Sequence, residues 1–309
     1  MVAQGGRTAQ PAGDGWTAAL WERVRARVEA ARTAGALHPL ATEAEVVEEG
    51  GVPFVVRVLA GGKPRGFGGT AAADPFDPPE AALTVGEVGP CHVAVLNKFA
   101  VIPDHLLIVT RRFEHQETLL TRADLEALRR CLTADTGAEA LGFYNGGEAA
   151  GASQPHKHLQ LVPLPLGPAG PPVPMEAALR AQGGGAAAFD AGRAGELPFA
   201  CALAPLGPAD WAEEGGAERL WRLYRRLLAR VGVQAVRREG RDWQTRPYNL
   251  LVTRRWMMAV PRSRERWDGI SVNALGYAGS LLVRTHADIA RVRAAGPMRI
   301  LAQVGVPRP

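Results

Sequence analysis

A histidine-rich segment holds the residues of this 309-residue sequence whose types and spacing could do chemistry. His156 and His158 are two residues apart, and Gln160 follows after another two. Because side chains two apart on a strand share a face, a strand here would place all three in one polar row. A neutral imidazole can carry a covalent intermediate, and a glutamine amide can donate to a phosphoryl oxygen. The row therefore suits transfer of a phosphate-containing group.

The spacing of the two histidines alone leaves other interpretations open. Imidazole is a common metal ligand, so His156 and His158 could hold a metal ion. They could also be two satisfied polar side chains on a half-exposed strand, since a two-residue spacing is a weak match to any motif.

A longer stretch around the histidines narrows these interpretations. Residues 153–160, preceded by residues 143–148, resemble the active-site signature of the histidine-triad superfamily. Within it they resemble the ATP adenylyltransferases, also called diadenosine tetraphosphate phosphorylases. Further blocks resemble this family in the same order, at residues 96–99, 103–110, 248–251, 256–257, 260–264 and 270–276. The resemblance covers residues 45–164 and 198–285.

The resemblance implies an α+β fold of the HIT-like type. Such a fold has a twisted antiparallel sheet with flanking helices, here in two related halves, and the alternation of strands and helices in the sequence agrees with it. We expect an N-terminal helix and disordered start at 1–40 and a catalytic half with the His-x-His-x-Gln motif at 41–165. A connection rich in proline, glycine and alanine follows at 166–197, and a C-terminal ATP adenylyltransferase half at 198–309.

The family also implies a reaction, the reversible phosphorolysis of diadenosine tetraphosphate (Ap4A). Ap4A and phosphate would give ATP and ADP through an adenylyl-histidine. His158 is the expected nucleophile, because imidazole is both a nucleophile and a good leaving group. His156 and Gln160 would bind phosphoryl oxygens.

Candidate substrate-binding residues lie near the motif and in the other matching blocks. Ser153 and Gln154 would donate to the phosphate chain, while Asn145, Gly146 and Gly147 would lie at the edge of the nucleotide. Contacts to phosphate charge are also expected from Lys98 and, more weakly, from Arg262, Ser263, Asn97 and Asn273. The last four fit equally well as ordinary turn or strand-end residues.

A glycine- and proline-rich loop at 61–79 contains two further cations, Lys63 and Arg65. It could lie over a nucleotide, although a solvated linker is the favoured interpretation.

Three rival functions have sequence features that discriminate them. Hydrolases of the superfamily typically have a third histidine where Gln160 stands, and an amide cannot protonate a leaving group. Hexose-1-phosphate uridylyltransferases usually have proline where Lys157 stands, and many carry zinc-binding cysteines. A nucleotide-binding protein without turnover would not need the complete row.

Composition and charge set the remaining expectations. The net charge of +5 and pI near 9.5 fit an anionic partner such as a nucleotide, and no basic run with interleaved aromatics indicates nucleic acid. No apolar run long enough for a membrane span and no signal-peptide pattern is present, so a cytoplasmic protein without membrane association is expected.

Metal and assembly expectations follow from the same survey. The three cysteines, Cys91, Cys131 and Cys201, imply neither disulfides nor a zinc ribbon. We expect no tightly bound cofactor and no metal site, with Mg²⁺ entering only with the polyphosphate substrate. A monomer is expected rather than an oligomer.

Overall fold

The computed structural model describes residues 19–60, 74–134, 139–180 and 194–308. The strands are β1 Thr42–Glu49, β2 Val52–Leu59, β3 Thr84–Val88, β4 His92–Leu96, β5 Leu106–Thr110, β6 Ala140–Gly146, β7 His158–Pro163, β8 Ala202–Pro205, β9 Ala235–Arg238, β10 Arg241–Gln244, β11 Tyr248–Val252, β12 Trp256–Pro261, β13 Arg266–Trp267, β14 Ile270–Ser271 and β15 Ser280–Val283. The helices are α1 Leu20–Thr33, α2 Arg122–Thr133, α3 Glu176–Leu179, α4 Gly216–Arg230, α5 Ala274–Tyr277, α6 His286–Ala295 and α7 Pro297–Val304. Single 3₁₀ turns lie at Ala81–Leu83, Glu148–Ala150 and Pro208–Trp211.

An eight-stranded antiparallel sheet is the frame of the molecule, with the order β3-β4-β5-β7-β6-β11-β12-β8. Strand β7, which begins at His158, lies between β5 and β6. His158 is opposite Val109 on β5, and Gln160 is opposite both Leu107 and Phe143. Because β7 is paired along both edges, its backbone holds the two polar side chains in a fixed register.

The eight-stranded sheet draws strands from both predicted halves of the sequence. Strand β6 of the first half pairs with β11 of the second, and Tyr144 lies opposite Leu250. A second sheet also crosses the division, because β2 pairs with β1 and, in parallel, with β15. The two stretches of sequence on either side of residues 166–197 therefore share their sheets.

Apolar side chains cover both faces of the large sheet. On β12, Met257 and Ala259 face a core formed with α1, α2 and α4, whereas Trp256 and Met258 face a core formed with β2 and the C-terminal helices. This alternation is the period of two expected of a strand. It assigns Leu159 of β7 to the face covered by α1, α2 and α4.

Helix α2 begins with the capping box that its sequence predicts. Asp124 N–H donates to the Thr121 hydroxyl, and Thr121 N–H donates to the Asp124 carboxylate. Two of the otherwise unpaired amides of the first turn are thereby satisfied. Among the described residues, no helix has the length and apolar character needed to cross a membrane.

Candidate active site

His158, at the start of β7, has one ring nitrogen bound and one available. Its Nδ1 lies 2.8 Å from the carbonyl oxygen of His156, which can only accept, so Nδ1 carries the proton. Burial lowers the pKa of His158 from 6.5 to about 4, so the ring is neutral near pH 7. A neutral ring protonated at Nδ1 keeps its lone pair on Nε2, which makes Nε2 the nucleophilic atom.

The side chain of Gln116 holds the backbone of the nucleophile. Its Oε1 accepts from His158 N–H at 2.8 Å, and its Nε2 donates to the carbonyl oxygens of Asn145 and His158. Gln116 is buried and bridges the ends of β6 and β7. Sequence reasoning misses this residue, because the contact depends on a loop that returns to the sheet from 42 positions away.

Gln160 is oriented by a histidine from the neighbouring strand segment. His105 Nε2 lies 3.0 Å from Gln160 Oε1, and Asn97 Nδ2 lies 3.3 Å from His105 Nδ1. Phe99 N–H donates to Asn97 Oδ1, so the Asn97 amide must present its nitrogen to His105. His105 then donates from Nε2, and Gln160 keeps both N–H groups of its amide for a ligand.

The neutral state of His105 supports this chain of hydrogen bonds. Burial lowers the pKa of His105 from 6.5 to about 4, so one nitrogen accepts and the other donates at pH 7. Sequence reasoning does not single out His105. The sequence feature that could have identified His105 is its position in the family block before the histidine motif, eight residues after Asn97. Asn97, expected near distal phosphates, instead positions His105.

The structure corrects the role expected of His156. Its side chain is 0% exposed, its Nδ1 donates to the Asp74 carboxylate at 2.7 Å, and its Nε2 donates to the Thr110 carbonyl at 2.7 Å. Neither nitrogen is left to bind a phosphoryl oxygen. His156 instead positions His158 through its own carbonyl oxygen.

The end of the glycine- and proline-rich loop reaches the histidines. Asp74 pairs with His156, and the Phe76 ring lies 5.7 Å from the His156 ring and 5.4 Å from the His158 ring. The prediction that residues 61–79 form a solvated linker is therefore wrong for this end of the loop. Lys63 and Arg65 lie outside the described residues.

Asn145 and Arg262 belong to a buried network that fixes the turn between β6 and β7. Asn145 Oδ1 accepts from Asn249 Nδ2 and from Ala274 N–H. Asn249 Nδ2 also donates to Ala150 O, and Arg262 NH1 donates to Asn249 Oδ1 and Ala150 O. The side-chain oxygen of Asn145 is thus held by protein groups, and its expected place at the edge of the nucleotide stays a prediction.

The guanidinium of Arg262 has no donor left for a phosphate. Its Nε donates to Val304 O, NH1 serves the two acceptors just given, and NH2 donates to Arg264 O and Val272 O. All five N–H groups are used, and the side chain is 2% exposed. The expectation that Arg262 binds distal phosphates is therefore wrong, because the residue joins three segments of backbone.

Close packing explains the glycines and Asn273 around the same turn. A Cβ on Gly146 would lie 2.6 Å from Gln244 Oε1, and Gly147 has φ +94° beside Glu117. Asn273 caps α5 by accepting from Leu275 N–H. Asn273 therefore has a capping role, and both glycines pack against protein side chains.

The remaining candidates lie nearer the surface. Ser153 is exposed and Gln154 is half-buried, just before His156, where a phosphate chain could meet them. Lys98 pairs with Glu80 at 2.8 Å on the turn after β4. The exposed Ser263 donates to Val304 O. The structure does not bring Lys98 or Ser263 into contact with the histidines.

The side chain between the two histidines points to the opposite face. Lys157 is 0% exposed, and its Nζ lies 2.7 Å from Glu114 Oε2 and 3.5 Å from Asp124 Oδ2. His92 Nε2 lies 2.7 Å from the other oxygen of Asp124. Burial would raise the pKa of Asp124, but Lys157 and His92 outweigh it and lower the pKa to about 2. This ionised cluster stabilises the back of the catalytic segment.

No group of three or more histidine, cysteine, aspartate or glutamate side chains in residues 19–60, 74–134, 139–180 and 194–308 could hold a metal ion. The absence of a tightly bound metal in the protein stays a prediction.

The fold and these side chains define a class of enzyme. An antiparallel α+β fold places a neutral histidine with a free ring nitrogen beside an amide donor. This combination can transfer a phosphorus-centred group. The family model described as "Ap4A phosphorylase N-terminal domain" matches residues 14–181, and "ATP adenylyltransferase C-terminal domain" matches residues 195–307. The chain belongs to the Ap4A phosphorylase family and is a nucleotidyltransferase.

Named relatives and solved structures agree with this assignment. Protein APA1 of Saccharomyces cerevisiae is 28% identical over 255 residues, which cover 71% of each chain. Diadenosine 5',5'''-P1,P4-tetraphosphate phosphorylase 2 of the same yeast is 30% identical over 244 residues, 69% of each chain. The crystal structure of yeast Ap4A phosphorylase Apa2 matches with a TM-score of 0.74 at 26% identity, covering 93% of this chain and 97% of Apa2. The structure of Apa2 in complex with Ap4A matches with a TM-score of 0.74 at 25% identity.

Proposed function

We propose that this enzyme catalyses the reversible phosphorolysis of Ap4A to ATP and ADP through an adenylyl group on His158. The observation that carries the proposal is the single free nitrogen of His158, beside the free amide of Gln160. Structures of the related Apa2 with Ap4A and with AMP support a dinucleotide substrate and an adenylyl product.

In the first half-reaction, His158 Nε2 attacks the α-phosphorus of one adenylyl half. A bond forms between Nε2 and phosphorus, and the bond from that phosphorus to the bridging oxygen of ATP breaks. The ring becomes positively charged while Nδ1 keeps its proton, and the His156 carbonyl stabilises this charge by accepting from Nδ1. The Gln160 amide donates to the phosphoryl oxygens as their charge increases.

In the second half-reaction, phosphate attacks the adenylyl-histidine and releases ADP. The bond from phosphorus to Nε2 breaks, and the electron pair returns to the ring. Because the leaving imidazole becomes neutral, it is a good leaving group at pH 7. Ser153 and Gln154 are proposed to donate to the phosphate chain, and Mg²⁺ would accompany the substrate through its phosphates.

Product analysis with Ap4A, with and without phosphate, tests this function. The proposal requires equal amounts of ATP and ADP, formed only when phosphate is present. A hydrolase would instead release AMP and ATP without phosphate, and Gln160 argues against that outcome because an amide cannot protonate a leaving group. Rapid phosphate-independent release of AMP would overturn the proposal.

The setting of the reaction remains part of the proposal. We place the enzyme in the cytoplasm as a monomer that binds small nucleotides. Sedimentation of the purified chain tests the oligomeric state, and a stable dimer at micromolar concentration would contradict it.

A further inference from the structure

A cavity of about 300 Å³ lies on the face of the sheet opposite the reactive histidines. Lys157 forms part of its floor, and because Lys157 and His158 are consecutive residues their side chains point to opposite faces. The walls come from the segment that leads into α2, from α4 and from the β9–β10 hairpin. The cavity is therefore distinct from the site of His158.

The cavity has more positive than negative charge. Arg225, Arg237 and Arg241 line it together with Arg122 and Lys157, whereas the acidic lining residues are Glu114 and Asp242. Each carboxylate serves two cations: Asp242 pairs with Arg225 and Arg237, and Glu114 pairs with Lys157 and Arg241. Several guanidinium N–H groups are thus available to an anion, since each arginine offers five.

One wall of the cavity is apolar. Trp221, Leu119 and Leu120 line it, and the Arg225 guanidinium lies 5.8 Å from the centre of the Trp221 ring. A flat aromatic wall beside several guanidinium groups is suited to a planar base that carries phosphates. Its volume suits a small molecule, at the lower end of the range for ligand pockets.

We propose that this cavity is a second binding site, for a small polyphosphate anion such as a nucleoside triphosphate. The phosphates bind Arg225, Arg237 and Arg241, and a base, where present, lies against Trp221. The cavity is argued independently of the reaction at His158, but the expected count of two ATP equivalents rests on the proposed function, because one of them binds at the His158 site.

The site is also placed to affect the catalytic segment. Glu114 contacts Lys157 through its side chain, and its carbonyl oxygen accepts from Lys157 N–H at 2.7 Å, between the two histidines. An anion that takes Arg241 from Glu114 changes the partners of this carboxylate. Anion binding in the cavity would therefore affect Lys157, which is adjacent to the nucleophile His158.

Titration calorimetry of the full chain tests the proposal, with ATP and with inorganic tripolyphosphate as probes. The wild type should bind two equivalents of ATP. Arg225→Gln/Arg237→Gln/Arg241→Gln should bind one, with the lost site weakened by at least about tenfold. Arg226→Gln, on an exposed position of α4 outside the cavity, is the matched control and should bind two.

Two further measurements keep the test decisive. If the triple variant does not fold, Arg237→Gln alone should weaken the second site several-fold, because this side chain is 69% exposed and removable without loss of packing. Occupation of the second site by tripolyphosphate would show that the phosphates suffice, and occupation by ATP alone would show that the base is needed. The same number of ATP equivalents in the wild type and in the triple variant would overturn the proposal, whereas one in the wild type and none in the triple variant would support it and count against ATP binding at His158.

Discussion

Two buried groups of side chains on opposite faces of the catalytic segment differ in charge. On the reactive face, His158 and His105 are neutral because burial lowers both pKa values to about 4. On the opposite face, Asp124 is ionised, because Lys157 and His92 hold its pKa at about 2 against the effect of burial. Burial without a charged partner favours the neutral form, and burial with one favours the ionised form.

This difference separates two tasks within three consecutive residues. On the reactive face, the neutral ring of His158 keeps a lone pair available to attack phosphorus. The charged face joins the loop before α2 to the strand, because Lys157 binds Glu114, Asp124 and Leu119 O. Changes on the reactive face should therefore reduce turnover, whereas changes on the charged face should reduce stability.

The largest effect is expected from the two histidines themselves. His158→Ala should reduce Ap4A phosphorolysis by at least about 10⁴-fold, because it removes the nucleophile. His156→Ala should reduce it by about 10²-fold, since the backbone carbonyl that orients His158 remains. Steady-state rates and circular dichroism of both folded variants check this. Equal and mild losses would mean that neither histidine is a nucleophile.

Lys157→Met should chiefly affect stability. It leaves Asp124 and Glu114 without their shared cation, which should lower the free energy of unfolding by about 3–5 kcal/mol. Urea denaturation measures this change, and activity per folded molecule should fall far less than in His158→Ala. The exposed Lys98→Met is the control, with an expected change within about 0.5 kcal/mol. A Lys157→Met variant as stable as the wild type would show that the charged face has no structural role.

The hydrogen-bond chain from Asn97 through His105 to Gln160 predicts a non-additive pair of substitutions. Gln160→Ala should lower kcat by about 10²-fold, as expected for loss of one donor to the transition state. His105→Ala should lower it by about tenfold, because Gln160 loses its orientation. The double variant should be no slower than Gln160→Ala. Fully additive losses would mean that His105 acts on the substrate independently of Gln160.

The lowered pKa values of His158 and His105 predict two pH dependences of smaller size. Adenylyl exchange without phosphate should lose activity on the acid side near pH 4, well below the ordinary histidine pKa of 6.5. Between pH 6.5 and 4 the unfolded chain binds more protons than the folded chain. The free energy of unfolding should therefore have its full value above pH 6.5 and decrease as the pH falls from 6.5 to 4. Thermal unfolding against pH checks it, and His105→Ala should flatten the slope. An acid limb near pH 6.5 would show that His158 is not neutralised by burial.

Local patterns predict much of the frame. The β-branched run at Val52–Leu59 is strand β2, and Thr121 with Asp124 caps α2 as their spacing indicates. Strand β1 has no such signal, since four of its eight residues are glutamates and it is held by pairing with β2. Strand β15 likewise depends on a parallel pairing with β2 that joins distant parts of the chain.

The candidate active site is likewise only partly predictable from local sequence patterns. The family pattern predicts His158 and Gln160 as site residues, but it does not predict the partners that fix their chemistry. Asp74, Gln116 and His105 reach the histidine segment from 82, 42 and 55 positions away. Arg262 shows the opposite error. A basic residue in a block that matches the family pattern suggests a phosphate ligand, but the five N–H groups of Arg262 are all bound by protein acceptors.

The central claim is a covalent adenylyl group on Nε2 of His158, and isotope exchange tests it most directly. Wild-type enzyme should exchange labelled ATP with unlabelled Ap4A in the complete absence of phosphate, because the first half-reaction is reversible. His158→Ala should not, and mass spectrometry of the trapped wild type should locate an acid-labile AMP on the peptide that contains His158. Full turnover with phosphate, but neither exchange nor adduct, would mean that phosphate attacks Ap4A directly and would contradict the account.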